Sequence, residues 1–153
     1  MSSLLVRGLI AFLALPGVVA FLVPLGLMAS GRGTSLVNVN GWGAVPLAFG
    51  TGLLLVCVRE FYVAGRGTLA PWSPPVALVV SGPYRWSRNP MYVAVLLILA
   101  GWTIGYRSWL LAVYTGAVCL AFNLRILLHE EPWLARTFGG SWVTYRDQVR
   151  RWL

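Results

Sequence analysis

Long apolar stretches alternate with short polar segments along the chain. Four of them, residues 8–28, 33–58, 89–106 and 108–124, contain no charged side chain. A transmembrane helix needs about 20 predominantly apolar residues, within a range of about 17–25. The pattern therefore predicts an all-α polytopic membrane protein with about four transmembrane helices, the second of which runs from about residue 42 to residue 61. One domain is expected over residues 1–153.

The two ends of this pattern add further expectations. The last two apolar stretches are separated only by Arg107, which predicts a tight helical hairpin. The first stretch is too long for the apolar region of a signal peptide, about 7–15 residues, so we expect it to be retained. Near the C-terminus, Trp142, Tyr145, Val149 and Trp152 are spaced by 3, 4 and 3 residues. This spacing predicts an amphipathic helix that lies on the membrane surface or caps a ligand site.

Small residues at intervals of four suggest where helices could touch. Ala44, Ala48 and Gly52 share this spacing in the second stretch, as do Gly101 and Gly105 in the third. Small residues at such positions let membrane helices approach closely. The alternative is that these are ordinary membrane glycines and alanines without a partner helix.

The composition narrows the class of protein. Hydrophobic residues make up 58% of the chain, charged residues make up 10%, and the mean hydropathy is +0.75. Soluble domains have about 45–50% apolar and about 25% charged residues, so a soluble chain of this size could not hide so much apolar surface. The low charge also excludes a disordered chain and a coiled coil. Two cysteines within apolar stretches are too few for a disulfide scaffold.

The positive charge indicates an orientation. All twelve cations are arginine, and the net charge is +8. With four spans, Arg32 and Arg107 fall on one side, and the other ten fall on the side that holds both termini and the middle loop. The positive-inside rule places that side in the cytoplasm. We do not expect nucleic-acid binding, because the arginines lie between apolar stretches.

Polar groups suited to chemistry gather on the predicted cytoplasmic side, in residues 59–89 and 125–153. Asn89-Pro90 is a typical helix start, since asparagine caps free N–H groups and proline is tolerated at the first helical position. Arg85 and Arg88 lie beside it, so this helix start suits an anionic group such as a carboxylate. The alternative is an arginine-aromatic anchor at the membrane interface.

A second polar group follows the last apolar stretch. Arg125 and His129 are spaced to share a helix face, whereas Glu130 and Glu131 are expected on other faces. Ionisable groups near membrane depth are usually functional or paired. One glutamate could pair with Arg85 or Arg88 and the other bind a cationic ligand, or both could serve only as ion-pair partners.

Several common sites have no signature in this chain. No Gly-x-Gly-x-x-Gly follows a strand, no Gly-x-Ser-x-Gly elbow is present, and one histidine with two cysteines does not make a zinc site.

Residues 82–92 read Gly-Pro-Tyr-Arg-Trp-Ser-Arg-Asn-Pro-Met-Tyr, and this run resembles the Gly-Pro-Tyr-x-x-x-Arg-His/Asn-Pro-x-Tyr motif of integral membrane methyltransferases. Residues 130–139 and the tail around Tyr145, Val149 and 151–152 are similar to the C-terminal motifs of the same group. The group contains isoprenylcysteine carboxyl methyltransferases and phospholipid N-methyltransferases. The resemblance covers roughly residues 70–153, the motif-bearing catalytic part.

The resemblance implies S-adenosylmethionine as methyl donor, bound on the cytoplasmic side without a Rossmann fold. The carboxylate of the cofactor suits Arg88 and the helix start, and its amine suits Glu130. The residues implied in cofactor binding are Val76, Ala77, Leu78, Val79, Tyr84, Arg88, Asn89, Pro90, Met91, Tyr92 and Glu130.

Roles in catalysis follow the same resemblance. In the family, the substrate-positioning arginine lies four residues before the glutamate, and this position is occupied by Ile126 here. The nearest arginine is Arg125, one residue earlier, which an α-helix would turn away by about 100°. Arg125 could hold a carboxylate or phosphate of the acceptor, and Glu131 or His129 could help an amine acceptor to lose its proton. The acceptor is expected to be amphipathic, isoprenylcysteine carboxylate-like or a lipid head group, and to enter sideways from the bilayer.

Two other functions stay open. Sterol-type membrane reductases that use NADPH have a similar tail, and Phe138-Gly-Gly-Ser-Trp142 leans toward it. A non-catalytic membrane partner protein could also retain this fold.

Overall fold

The computed structural model describes residues 13–31, 39–64 and 77–153, and the regular elements within these ranges are all helical. In chain order they are a π-helical segment (Leu13–Leu22), α1 (Val23–Ala29), a 3-10 turn (Gly41–Gly43), α2 (Ala44–Val63), a 3-10 turn (Gly82–Arg85), α3 (Pro90–Tyr106), α4 (Trp109–Arg125), a π turn (Ile126–Glu130) and α5 (Glu131–Gln148). Three of the arginines used to predict orientation, Arg7, Arg32 and Arg66, lie outside the described residues.

The helices follow the apolar stretches closely. By length and composition, the continuous helices Gly41–Val63 and Trp109–Gln148 are long enough to cross a membrane, and Pro16–Ala29 and Pro90–Tyr106 are shorter apolar helices. Helices form here because each stretch is apolar on all sides and satisfies its backbone groups internally, as a lipid environment requires. The all-helical fold is confirmed for the described residues, whereas the number of membrane crossings stays a prediction.

A two-residue connection joins α3 to α4. Arg107 adopts a left-handed backbone conformation with φ of 46°, and the Ser108 side chain accepts a hydrogen bond from the N–H of Leu111 at 3.4 Å. The hydroxyls of Thr103 and Thr115 lie 3.2 Å apart across the two helices. The connection between α3 and α4 is therefore limited to Arg107 and Ser108, and the tight transmembrane hairpin stays a prediction.

Glycines bring α2 and α3 into backbone contact. A Cβ atom added to Gly50 would lie 2.7 Å from the carbonyl oxygen of Ala94, and one added to Gly43 would lie 2.5 Å from the Cα atom of Gly105. A Cβ atom on Gly101 would meet Leu47 at 2.7 Å. The expected close approach at Gly101 and Gly105 is thus confirmed, because no side chain separates the two helices.

The other predicted row of small residues does not make this contact. Ala44, Ala48 and Gly52 are exposed, and a Cβ atom on Gly52 would meet nothing within 4 Å among the described residues. The interval of four placed these three residues on one face of α2, but the glycine pair at 43 and 50 defines the face that packs.

Side chains of α3 and α4 tie the N-terminal helical segment to the core. Pro24 has no N–H, so the carbonyl oxygens of Val19 and Ala20 lack the partner that position 24 would supply in a π or α turn. Tyr114 donates to the oxygen of Val19 at 3.0 Å, and Trp102 donates to that of Ala20 at 2.9 Å. Proline is tolerated in apolar helices when neighbours satisfy the freed carbonyls in this way.

The C-terminal helix differs from its prediction. α5 ends at Gln148, it bends at Gly139, where φ is 49°, and its Trp142 and Tyr145 side chains are buried within the protein. Val149 and Trp152 follow the helix in an extended segment. The apolar face therefore packs inward over the polar residues before α3, because the tail finds hydrogen-bond partners there. The predicted helix is therefore too long at its C-terminal end, since it stops at residue 148, whereas its position at the membrane surface or over a ligand site stays a prediction.

Candidate functional site

The Gly82–Arg85 turn forms the floor of a polar site at the start of α3. Its Tyr84 side chain is buried beside Val79 and Cys57, and burial raises the pKa of Tyr84 well above its ordinary value. Gly82 has φ of 56°, and a Cβ atom there would press on Glu60 at 3.0 Å. The turn is therefore fixed against the end of α2.

Glu60 holds this turn from the other side. The Ser81 hydroxyl donates to Glu60 Oε2 at 2.5 Å, and the Glu60 side chain is only 13% exposed. Arg59 Nη1 lies 3.1 Å from Glu60 Oε1. The sequence reading gave Glu60 no role, although a carboxylate at the end of an apolar helix was the available signal.

The residues after α5 form a second wall. We call residues 149–153 the strap, because they run parallel to the segment before α3 and pair with it at Ser87 and Arg150. The N–H of Arg88 donates to the Arg150 carbonyl oxygen at 2.8 Å, and the Tyr145 hydroxyl donates to the Tyr84 carbonyl oxygen at 2.7 Å. The strap and α5 thus hold the residues of the Arg-Asn-Pro motif in place.

Asn89 precedes α3 as predicted but does not cap it. Its side-chain amide donates to the Arg151 carbonyl oxygen at 3.0 Å, and its own N–H donates to the Ser87 hydroxyl at 3.1 Å. Pro90 occupies the first turn of the helix. The predicted helix start is correct, but the asparagine side chain binds the strap because that partner lies within reach.

Glu131 lies between two arginines. Arg151 forms a bidentate ion pair with its carboxylate, in which Nε donates to Oε1 at 2.8 Å and Nη2 donates to Oε2 at 2.9 Å. Arg88 Nη1 lies 3.2 Å from Oε1. The expected pairing of one glutamate with Arg88 is therefore correct, whereas the alternative partner Arg85 is exposed.

Arg88 is the most deeply placed cation of the site. Its side chain is 10% exposed, and its guanidinium lies over the Trp142 ring, 5.4 Å from the centroid. Burial lowers the pKa of Arg88, while the nearby Glu131 opposes this. Its Nε and Nη1 atoms have no hydrogen-bond acceptor among the described residues, since the contact to Glu131 lacks hydrogen-bond geometry.

Glu130 faces a different pair of groups. Its Oε1 atom accepts from the Tyr92 hydroxyl and from Arg125 Nε, the latter at 2.9 Å. The Tyr92 ring packs on Phe122, with centroids 4.3 Å apart. Tyr92 is the last residue of the Gly-Pro-Tyr motif, so the two motifs that flank α3 and α4 in sequence meet at this carboxylate.

The pairing of Arg125 with Glu130 corrects a prediction. An α-helix would turn residues five apart to different faces, but Ile126–Glu130 forms a π turn, which brings positions i and i+5 together. Arg125 and His129 share one exposed face of this continuous helix with Ala121, Leu124 and Leu128. Arg125 therefore reaches the Glu130 carboxylate from an exposed, largely apolar helix face.

Most of the residues implied in cofactor binding lie together. Tyr84, Arg88, Tyr92 and Glu130 surround the start of α3, as described above, and Met91 packs on the cluster of Cys57, Val79 and Tyr84. Leu78 is half-buried and Ala77 is exposed, whereas Val76 lies outside the described residues.

The sequence reading missed two contacts of the strap and α5. The spacing of Trp142 predicts a surface helix or a cap over a ligand site but not its contact with Arg88, and the C-terminal motif that contains Arg151 does not indicate its pairing with Glu131. The signal for Arg151 was its place in the C-terminal motif, but no spacing rule indicates which carboxylate a tail residue reaches.

Comparisons with known proteins indicate the family of this chain. The sequence model of a family described as phospholipid methyltransferase matches residues 42–141, which include the turn, Arg88, Glu130 and Glu131. An uncharacterized protein of Haemophilus influenzae is 35% identical over 63 residues, which cover 41% of this chain and 100% of the relative. No solved structure gives a significant match.

Proposed function

The chain belongs to the phospholipid methyltransferase family, and from this premise we propose that it is a membrane methyltransferase that uses S-adenosylmethionine. The cofactor would lie at the start of α3, between the Gly82–Arg85 turn, Glu130 and the strap. The observation that carries the proposal is the buried Arg88 guanidinium, whose Nε and Nη1 atoms have no acceptor among the described residues.

The unpartnered N–H groups of Arg88 fit the carboxylate of the cofactor. Buried donors of a charged group are costly to leave unbonded, and a hydrogen bond from a guanidinium to a carboxylate is strengthened by both charges. Arg88 Nη1 lies 3.2 Å from Glu131 Oε1 without forming a hydrogen bond, and both oxygens of Glu131 accept from Arg151. An anionic group of a ligand would complete this part of the site.

Glu130 fits the cationic amine of the same molecule. Tyr92 and Arg125 bond to Oε1, and Oε2 has no hydrogen-bond partner among the described residues. Val79 and Met91 provide an apolar surface beside Tyr84. S-adenosylmethionine supplies an electrophilic methyl group when bound, and the residues of the chain orient the two reactants and exclude water.

The acceptor would be amphipathic and approach along the membrane. Arg125 is 53% exposed and shares an exposed helix face with His129, so it can hold an anionic head group while the tail stays in lipid. A lipid head group and an isoprenylcysteine-like carboxylate share this chemistry.

An amine acceptor also needs a base. Glu131 could accept a proton only when its fork to Arg151 opens, whereas the His129 side chain is exposed. A carboxylate acceptor would need no base.

Family membership and the apolar helices indicate a membrane protein. We propose that it is multi-pass with the site on the cytoplasmic face. The excess of arginine on the side that holds α5 and the strap supports this orientation.

Calorimetric titration of the detergent-purified chain with S-adenosylmethionine tests the proposal. We expect saturable binding that weakens about 10- to 100-fold in Glu130→Gln, since this change removes a charged hydrogen-bonding partner. Asp147→Asn is the matched control, because Asp147 is an exposed acid whose ion-pair partner among the described residues is its neighbour Arg146.

The same titration separates the alternatives. Binding of NADPH instead would favour a reductase. Absence of binding to either compound, with an intact thermal transition, would favour a non-catalytic partner protein. Unchanged affinity in Glu130→Gln would contradict the placement of the amine.

A further inference from the structure

Glu131 interacts differently with the two arginines beside it, Arg151 and Arg88. Arg151 occupies both carboxylate oxygens, at 2.8 and 2.9 Å. Arg88 Nη1 lies 3.2 Å from Oε1 but is not directed at it, and Arg88 keeps two buried N–H groups without an acceptor. The carboxylate that is nearest to Arg88 is thus oriented by Arg151, and its ion pair with Arg88 contains no hydrogen bond.

The charges of this cluster do not cancel. Two guanidinium groups carry two positive charges and Glu131 carries one negative charge, so one positive charge remains on a side chain that is 10% exposed. A bidentate pair is the arrangement that a guanidinium and a carboxylate favour. Without Arg151, Glu131 would need only a small reorientation to form that pair with Arg88.

We propose that Arg151 is a positioning residue: by holding Glu131, it prevents this carboxylate from closing on Arg88 and keeps Arg88 available for the anionic group of the cofactor. The inference rests on the proposed function, because the cofactor carboxylate is the anion concerned. Arg151 itself touches neither reactant in this arrangement and acts through Glu131.

The backbone of the strap and the side chain of Arg151 can be tested separately. The strap docks through main-chain carbonyls, because Arg150 oxygen accepts from the Arg88 N–H and Arg151 oxygen accepts from Asn89 Nδ2. These bonds survive a change of the Arg151 side chain. A loss of ligand affinity in such a variant therefore reports on Glu131 and not on detachment of the strap.

The experiment compares four variants of the full chain in detergent with the wild type: Arg151→Ala, Arg151→Lys, Glu131→Gln/Arg151→Ala and Arg150→Ala. Each is titrated calorimetrically with S-adenosylmethionine, and its melting temperature is recorded without ligand. Arg150→Ala is the control, since the Arg150 side chain is exposed and the adjacent residue has the same type.

We expect Arg151→Ala to bind about 10- to 100-fold more weakly than the wild type, because Glu131 then competes for Arg88. Arg151→Lys keeps the charge but cannot form the fork, and its affinity should fall between the two. The double variant should regain most of the lost affinity, since a neutral glutamine cannot neutralise Arg88. Arg150→Ala should bind as the wild type does.

Two results would overturn the inference. If Arg151→Ala and Arg151→Lys bind as tightly as Arg150→Ala, Arg151 does not position Glu131. If both bind weakly and the double variant is not rescued, Arg151 contributes only to the fold.

Should Arg151→Ala fail to fold, Arg151→Lys alone and combined with Glu131→Gln makes the same comparison. A folded wild type that does not bind the cofactor would instead remove the proposed function.

Discussion

The Arg125 guanidinium and the Glu130 carboxylate form an ion pair, Nε to Oε1 at 2.9 Å, although they lie five residues apart on continuous helix. The π turn at Ile126–Glu130 makes this possible, since it contains one residue more than an α turn. Such turns are frequent at functional sites. On a regular α-helix, an arginine would reach this glutamate from four residues before it. The π turn lets Arg125 reach Glu130 from five residues before it.

Deleting Leu128 should therefore be tolerated. Leu128 is 65% exposed within the π turn, and its removal would leave an α turn with Arg125 four residues before the glutamate. We expect S-adenosylmethionine affinity and melting temperature to stay close to those of the wild type. Deletion of Leu120, which is 60% exposed in the regular part of α4, would instead turn all later residues by about 100°. Equal loss of binding in both deletions would contradict the role of the π turn.

Gly50→Ala should destabilise the protein. The new Cβ atom would lie 2.7 Å from the Ala94 carbonyl oxygen, so α2 and α3 must move apart, at a cost of about 1–3 kcal/mol. Gly52→Ala on the same helix meets nothing within 4 Å and should be neutral or stabilise by up to about 1 kcal/mol. Thermal unfolding in detergent measures both. Similar melting temperatures for the two variants would show that the glycine contact is not tight.

Trp102→Phe should lower the free energy of unfolding more when residue 24 is proline than in the Pro24→Ala background. The indole N–H satisfies the Ala20 carbonyl oxygen at 2.9 Å, and an alanine at position 24 would restore the helical donor to that oxygen. We expect a coupling of about 0.5–1.5 kcal/mol in the double-mutant cycle, from thermal unfolding. Trp109→Phe is the control, because Trp109 is 66% exposed. Its cost should be the same in both backgrounds.

Tyr145 should make stability fall in strong alkali. Burial raises the pKa of Tyr145 to about 12, against the opposing influence of Arg88, whereas an unfolded tyrosine titrates near about 10. The folded pKa is the higher one, so this contribution is complete below pH about 10 and is lost as the pH rises toward about 12.

The variant Tyr145→Phe tests this dependence. It lacks the hydrogen bond to the Tyr84 carbonyl oxygen and should lose about 1 kcal/mol of stability at pH 8. Its melting temperature should also fall less steeply than that of the wild type above pH about 10, since one titrating group is gone. Parallel pH profiles would contradict the assignment.

The helices could be predicted closely because their signal is local. Residues 89–106 and 108–124 were expected, and Pro90–Tyr106 and Trp109–Arg125 form, since an uncharged apolar run must satisfy its own backbone hydrogen bonds. The sequence also predicts the helix start at Asn89-Pro90 and the pairing of one glutamate with Arg85 or Arg88, and the structure shows that the pair is Glu131 with Arg88.

The remaining features depend on tertiary contacts or on irregular backbone. The π turn could not be inferred, because a spacing rule assumes a uniform helix, and it changes the face that Glu130 presents. The Asn89 side chain donates to the Arg151 carbonyl oxygen of the strap at 3.0 Å and does not cap α3. Arg151 reaches a carboxylate 20 residues earlier, and neither periodicity nor charge indicates such a partner.

The glycine contact between α2 and α3 also limits where a molecule from the bilayer could pass between the helices. Where Gly43 meets Gly105 and Gly50 meets Ala94, the two backbones touch, so that part of the boundary is sealed to any lipid-borne group. Arg125 lies at the end of α4, outside this contact, and is 53% exposed. Under the proposed function, an acceptor from the bilayer would reach Arg125 along α4 and not between α2 and α3 at these glycines.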